Sequence, residues 1–453
     1  MTLLESVVDY VSGFGSGELP ADVLRHARRQ LLDTLGCAVY GYSGDASRAA
    51  REAVAAMEAP GRATVIGDSG PTLPMLACVA NGVAIRMTEY NDTFVGAQGP
   101  LHPSEVIPVA LAMGEHAGAT GAEILEAIVL GYELNARWAN SLTLIEHGFH
   151  HTSAGIFVVP AVAGRLLGLD RQQLANAIAI SCSYGLTTDA MHRGGLSMMR
   201  NLAYPLTANT GILAALLAQQ GYTGPADALD GEAGLIAQTG NDPGALKAAF
   251  EDRSYLIGRV IIKEFVCSTI SQSAVSAALR ISREQELRPD DIESVRIRTF
   301  HRAWEVGGEP ARRFPENKES ADHSMYYVVA VGLIDGEVGP GQFRPERIAA
   351  SDVRELIPRI SIEWDRSLDG LWPYKVPSIV EITSREGRTH SLRLDSPPGH
   401  PDNPMSEEAL RSKFHRLVSE VMDPAREQAI VDAVATLDTM PNASALMRLL
   451  CFA

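Results

Sequence analysis

Cysteine is scarce in this chain: five residues, at positions 37, 78, 182, 267 and 451, spread through 453 with no CxxC pair. That excludes a disulfide framework, a thiolate zinc site and an Fe–S cluster, and reads as reduced thiols in a cytoplasmic protein. Long apolar runs are also missing, so no segment predicts a membrane span. Met1 leads straight into an amphipathic segment rather than a cationic and then apolar leader. Basic charge is in deficit, with 39 Lys and Arg against 55 Asp and Glu, a net charge of −16. A nucleic-acid partner needs a basic footprint and is not expected. A small anionic substrate stays open, because a local cationic pocket can sit within an acidic surface.

What is present is ordinary globular material, 46% hydrophobic and 21% charged. The length exceeds one core, so two domains are expected. Helical periodicity begins after Leu19-Pro-Ala-Asp22 and predicts further helices over about 47–58, 73–86, 105–117, 121–142, 153–167, 171–185 and 205–219. The pattern changes near residue 260. Segments 293–300, 359–364, 378–383 and 389–394 alternate in strand fashion, with helices near 268–284, 320–335 and 351–357. Pro397 to Pro404 is the strongest linker signal, and helices resume over 406–421, 426–437 and 443–449. The expected organisation is a discontinuous all-helical domain, 1–262 with 401–453, and a smaller α+β domain over 263–400. The glycine-rich Ser12 to Gly17 follows no strand and lacks a complete GxGxxG, so it reads as a loop.

The stretch that organises the chain is Met87-Thr-Glu-Tyr-Asn-Asp-Thr-Phe94, followed by Leu101-His-Pro-Ser-Glu-Val106. It places Asp92, Thr93, His102 and Ser104 on a loop between two apolar helices, a common way to mount chemistry on a rigid scaffold. The plainer reading is helix capping by Asp92 and Ser104. A second cluster, Glu146-His-Gly-Phe-His-His-Thr-Ser153, could be read as metal ligands. Gly148 interrupts it, however, and no HExxH pattern is present, so no metal is expected.

Glu89-Tyr-Asn-Asp-Thr93 and His102-Pro-Ser104 resemble the D-[YF]-[ND]-D-T and H-P-S segments of the MmgE/PrpD family. That family includes 2-methylcitrate dehydratases, cis-aconitate decarboxylases and iminodisuccinate epimerases. The resemblance extends to Arg28–Gly41, Gly148-Phe-His-His151, Gly194–Asn201, Leu216–Pro225, Lys263 and Lys318–Val331, the last close to A-D-H-S-[LM]-P-Y. It implies a mainly α fold with an α+β lid and the active site between them, a homodimer, no cofactor, and a small di- or tricarboxylate substrate. Two departures stand out: Arg200 stands where a lysine is usual, and Ser268, Thr269 and Ile270 occupy positions where many members carry a histidine.

The chemistry needs a base for an acidic C–H, cations for carboxylates and, for dehydration, an acid for the leaving hydroxyl. The resemblance makes His102 and His150 the acid–base candidates, with Asp92 orienting one of them and His151 an alternative to His150. Arg200 and Lys263 are expected to clamp carboxylates, Thr93 and His323 to contact substrate, and Tyr327 to donate a hydrogen bond or proton. The first reading is a metal-independent 2-methylcitrate dehydratase-like lyase of propionate catabolism. The alternatives are an iminodisuccinate-type epimerase, a cis-aconitate-type decarboxylase and a catalytically silent carboxylate-binding paralogue.

Overall fold

A computed structural model of the chain describes residues 1–15, 18–68, 70–192 and 197–452. The fold is mainly α with an α+β part. It forms two compact units, Met1–Val260 with Glu407–Ala453, and Ile261–Ser406. Among the described residues no helix is long and apolar enough to cross a membrane. Ser16 and Gly17 of the glycine-rich loop lie outside the described residues, as do Gly194, Gly195 and Leu196.

The first unit is a stack of helices whose limits follow from their caps. Thr120 accepts from the Glu123 N–H while the Glu123 carboxylate takes the Thr120 N–H, and Gly121–Ser141 starts there. Asp170 and Gln173 do the same for Arg171–Cys182. Small residues let the helices close on one another. A Cβ on Gly41 would fall 1.9 Å from the carbonyl oxygen of Ala84, so only glycine lets helix Ala21–Gly41 reach helix Pro74–Met87. Glu407–Val418 packs on Ala21–Gly41, with Phe414 and Leu417 against Gly36.

Two details differ from expectation. The helix foreseen from Pro205 begins at Met199 and runs to Gln219 with the proline inside it. Pro205 lacks an N–H, which argues locally for a helix start. Its ring nevertheless packs at Gly82, and that tertiary contact accommodates the interruption. A short hairpin, Phe94–Gly96 with Gly99–Leu101, also folds within the organising loop.

The second unit carries a four-stranded sheet in the order Ile360–Trp364, Ile292–Thr299, Ser378–Ser384, Thr389–Leu394. The first pair is parallel and the others antiparallel. Val295, Ile297, Val380 and Ile382 are buried on one face, which helix Gln272–Glu284 covers. The helix foreseen over 320–335 is interrupted. It runs Lys318–Ala321 and resumes at Met325, where Ser324 caps it through the Tyr327 N–H.

Candidate active site

Helix Pro74–Met87 delivers the organising loop. Past its C-cap Thr88, Glu89 takes a left-handed conformation with φ of 51°. Asp92 follows, wholly buried. Its Oδ1 accepts the Ser104 N–H at 3.1 Å and its Oδ2 the Tyr132 hydroxyl at 2.7 Å. Burial raises its pKa to about 6, against the pull of the Ser104 and Tyr132 bonds and with some help from Asp33. Asp92 therefore does cap a helix start, but across the loop, at the short helix Pro103–Val106.

The main-chain carbonyl of Asp92 has a separate task. His102 Nδ1 lies 2.6 Å from it, with Thr93 Oγ1 at 3.4 Å. A carbonyl only accepts, so Nδ1 carries a proton, and in a neutral ring Nε2 then holds the lone pair. The expected orientation of a histidine by Asp92 thus runs through its backbone, while its carboxylate is engaged elsewhere.

His150 is arranged the opposite way. Its N–H donates to the Thr187 carbonyl at 2.8 Å, and a bridge pairs Phe149 with Thr188, which fixes the segment. Its Nδ1 accepts the Thr152 N–H at 3.3 Å and lies 2.8 Å from Thr152 Oγ1, capping the turn His151–Ala154. A neutral ring with Nδ1 accepting holds its proton on Nε2. The His151 ring sits between the two, with centroids 4.0 Å from His150 and 5.4 Å from His102. The fold thus brings all three foreseen imidazoles together. Among the described residues no group of three or more His, Cys, Asp or Glu side chains is arranged to hold a metal ion.

Arg200 lies in the first turn of Met199–Gln219, so its cation adds to the positive end of a long helix. It is buried, with Nη2 at 4.0 Å from Glu89 Oε2. Glu89 in turn lies 3.4 Å from Arg86, which contacts Glu105 at 3.1 Å and donates to Asn91 at 2.7 Å. Asn91 reaches the Ser104 hydroxyl at 3.1 Å, which returns the network to Asp92. Burial drives the Glu105 carboxyl up to about 8, countered by Arg86 and reinforced by Asp92 and Glu89. Behind the loop, Lys413 contacts Asp33 and the Tyr90 carbonyl.

The second unit holds the remaining candidates. Lys263 is fully buried, beside Ile262, whose N–H is bound to the Gly399 carbonyl. His323 Nδ1 pairs with the Asp322 carboxylate, which Lys318 also contacts at 2.8 Å. Ser268, at one of the positions lacking the histidine, donates its N–H to the Asp322 carbonyl at 2.9 Å. Tyr327 departs from the expected role. Its ring is buried within this unit against Phe343, and its hydroxyl donates to the Gln342 carbonyl. Burial also holds that phenol well above its ordinary pKa, so it is a poor proton donor.

The MmgE/PrpD N-terminal domain model matches residues 5–245 and the MmgE/PrpD C-terminal domain model matches 265–439. The chain belongs to the MmgE/PrpD family. Its relatives include cis-aconitate decarboxylase of Homo sapiens, 27% identical over 99% of this chain and 94% of that protein. The cis-aconitate decarboxylase of Aspergillus terreus is 25% identical over 98% of the chain and 95% of its own length. The 2-methylcitrate dehydratase of Cupriavidus necator is 24% identical over 97% and 95%. These MmgE/PrpD relatives are lyases.

Sequence reasoning missed Tyr132, Arg86, Glu105 and Lys413. Tyr132 lies on the buried face of helix Gly121–Ser141, where apolar packing is the usual reading. The charged residues sit on helices or turns where a solvated role is the usual reading. Tyr132 and Lys413 find their partners in distant segments, Arg86 bonds Asn91 nearby and reaches Glu105 across the loop, and of the four only Glu105 lay inside a motif already singled out.

Proposed function

We propose that this MmgE/PrpD lyase removes water from a small hydroxy-tricarboxylate of the 2-methylcitrate type by proton transfer between imidazoles. The observation that carries the reading is the opposite surroundings of the two Nδ1 atoms, a carbonyl at His102 and the Thr152 N–H at His150. Dehydration needs both a base and an acid, and the loop and turn supply one of each. His102 Nε2 takes the proton from the carbon beside a carboxylate. The C–H electron pair forms the new C=C bond as the C–O bond breaks, while His150 Nε2–H donates a hydrogen bond to the departing hydroxyl. The proton gained by His102 passes through His151, whose ring lies near both, to that oxygen, so water leaves and both rings end neutral. Arg200 and its helix N-terminus hold a substrate carboxylate and stabilise the charge that grows on it. On the family resemblance, Lys263 has the same task.

A second reading is decarboxylation of a cis-aconitate-type substrate, favoured by relatives of that name that align with nearly the whole chain. As CO2 leaves, its bonding pair forms a new C=C bond and the old double bond takes a proton at its far carbon, which an imidazole supplies without any C–H being broken. NMR in D2O on chelator-treated protein separates the readings. A new alkene signal from 2-methylcitrate supports dehydration, and itaconate with CO2 from cis-aconitate supports decarboxylation. Deuterium entering iminodisuccinate without elimination points to an epimerase. Binding without exchange or turnover on any of these substrates points to a silent carboxylate binder.

A further inference from the structure

Helix Met199–Gln219 carries a face that its own unit does not cover. Inward it packs on helices Pro74–Met87, Gly155–Leu166 and Arg171–Cys182. Outward it presents Met199, Leu202, Leu206, Asn209, Leu213 and Leu216, at steps of three and four residues that alternate without a break. Met199, Leu206 and Leu213 are 39%, 45% and 47% exposed, and the other three are half-buried. Strict alternation of three and four is the seam along which one helix packs on another, and here it is additional to the stripe that faces the core. From Asn201 to Gln220 no side chain is charged, in a chain that is 21% charged with a net charge of −16. A helix lying on a membrane surface carries cations beside its apolar face, and this one has none beyond its first turn. Two acidic copies repel over most of their surface and can close only where charge is absent. The third observation lies at the helix midpoint, ten residues from either end, where Asn209 Oδ1 is cut off from water with no hydrogen-bond partner among the described residues. A polar group held that way is costly unless something approaches to pair with it.

From these features we propose that helix Met199–Gln219 is the surface on which two copies of this chain form a two-fold dimer, with the axis at Asn209 and Leu206 and Leu213 on either side of it. A face that meets its own copy must be self-complementary, and an uncharged row of leucines is. At the axis the amide meets Asn209 of the partner subunit, and once the two amides rotate each oxygen accepts from the other's NH2. A single Asn in an apolar seam also fixes the register of the pair. Met198 and Tyr222, 51% and 62% exposed at the two ends of the helix, extend the apolar area toward the roughly 800 Å² a side that stable dimers bury. The family resemblance implies a homodimer but assigns it no surface; this face and axis follow from the helix alone.

The test is sedimentation of the full chain at micromolar concentration, where wild type should run at twice the 48.6 kDa of one chain. Leu206→Glu and Leu213→Glu each set like charges against each other in a seam that excludes water. Each should raise the dimer Kd by at least about a hundredfold. Phe314→Glu, at a similarly exposed ring in the second unit, should leave the dimer intact. Asn209→Cys locates the axis, because cysteines facing one another across a two-fold come within disulfide reach. It is made with Cys451→Ser, which removes the one native cysteine that is not buried. Mild oxidation should then give a covalent dimer that Cys451→Ser alone does not form. A monomeric wild type overturns the inference and leaves the seam to a different partner. A dimer that neither glutamate weakens has its interface elsewhere and overturns it as well. A dimer that the glutamates break but Asn209→Cys does not cross-link overturns the placement of the axis. Should either glutamate variant lose its far-UV circular dichroism, the cysteine cross-link decides.

Discussion

The ammonium of Lys413 lies 2.6 Å from the carboxylate of Asp33, and neither is reached by solvent. The same Nζ donates to the Tyr90 carbonyl at 3.0 Å and rests 3.8 Å from the centre of the Tyr90 ring. One side chain from the C-terminal segment thus ties the N-terminal helix Ala21–Gly41 to the loop that carries Asp92. Replacing Lys413 with Met leaves Asp33 charged and buried. Such uncompensated charges cost roughly 3–5 kcal/mol. Urea unfolding should show that loss. Because Asp33 also raises the Asp92 pKa, activity measured below the melting transition should fall too.

Glu105 links stability to pH. Its carboxyl is pushed from an ordinary 4.5 up to about 8, chiefly by burial. Between those values the folded chain binds a proton that the unfolded chain has released. Stability therefore falls as pH rises through that window and levels off above it. Asp92, raised from 3.8 to about 6, acts in the same sense over a lower window. Glu105→Gln cannot ionise and should grow more stable relative to wild type as pH rises from 5 toward 8 (roughly the span of that window). Thermal melts across that range check the sign. A difference that stays flat or shrinks with pH would contradict the assignment.

The two histidines proposed as acid and base should fail in distinguishable ways. His102→Gln should lower kcat by roughly 10²–10⁴-fold, the usual contribution of a positioned general base. It should also abolish deuterium exchange at the substrate carbon. His150→Asn keeps an acceptor near the Thr152 N–H, so the turn His151–Ala154 should form with little change in melting temperature. It removes the acid, so turnover should fall while carbon exchange persists under the dehydratase reading.

Tyr327→Phe should leave kcat nearly unchanged. The hydroxyl it removes is bound to the Gln342 carbonyl within the second unit, so the effect falls on stability. A buried carbonyl left unsatisfied costs roughly 1–3 kcal/mol, measurable by denaturant titration. A large drop in kcat at unchanged stability would restore the tyrosine to the chemistry.

Much of this was legible in the sequence because it is local. The caps Thr120 and Asp170 and the alternation in Ile292–Thr299 and Ser378–Ser384 declare their elements within a few residues. Motif matching singled out His102, His150 and Arg200 as candidates for the same reason. The start of helix Met199–Gln219 was not legible, since the contact that accommodates Pro205 is with Gly82, far away in the chain. Nor was the division of labour within Asp92. No pattern of residue types reveals which atom of an aspartate faces an imidazole, and only the folded loop assigns the carbonyl to His102 and the carboxylate to Ser104 and Tyr132.

The hydrogen bond between His102 and residue 92 is made by an atom every amino acid possesses. Alanine scanning is blind to it. An Asp92→Ala protein would still offer that oxygen, and its defect would report the lost grip on Ser104 and Tyr132 instead. Side chains at this position are therefore at liberty to drift without disturbing which nitrogen of His102 is basic. A shift in the path of the main chain, such as a one-residue insertion between Tyr90 and Thr93, would silence the base while leaving every recognised residue in place.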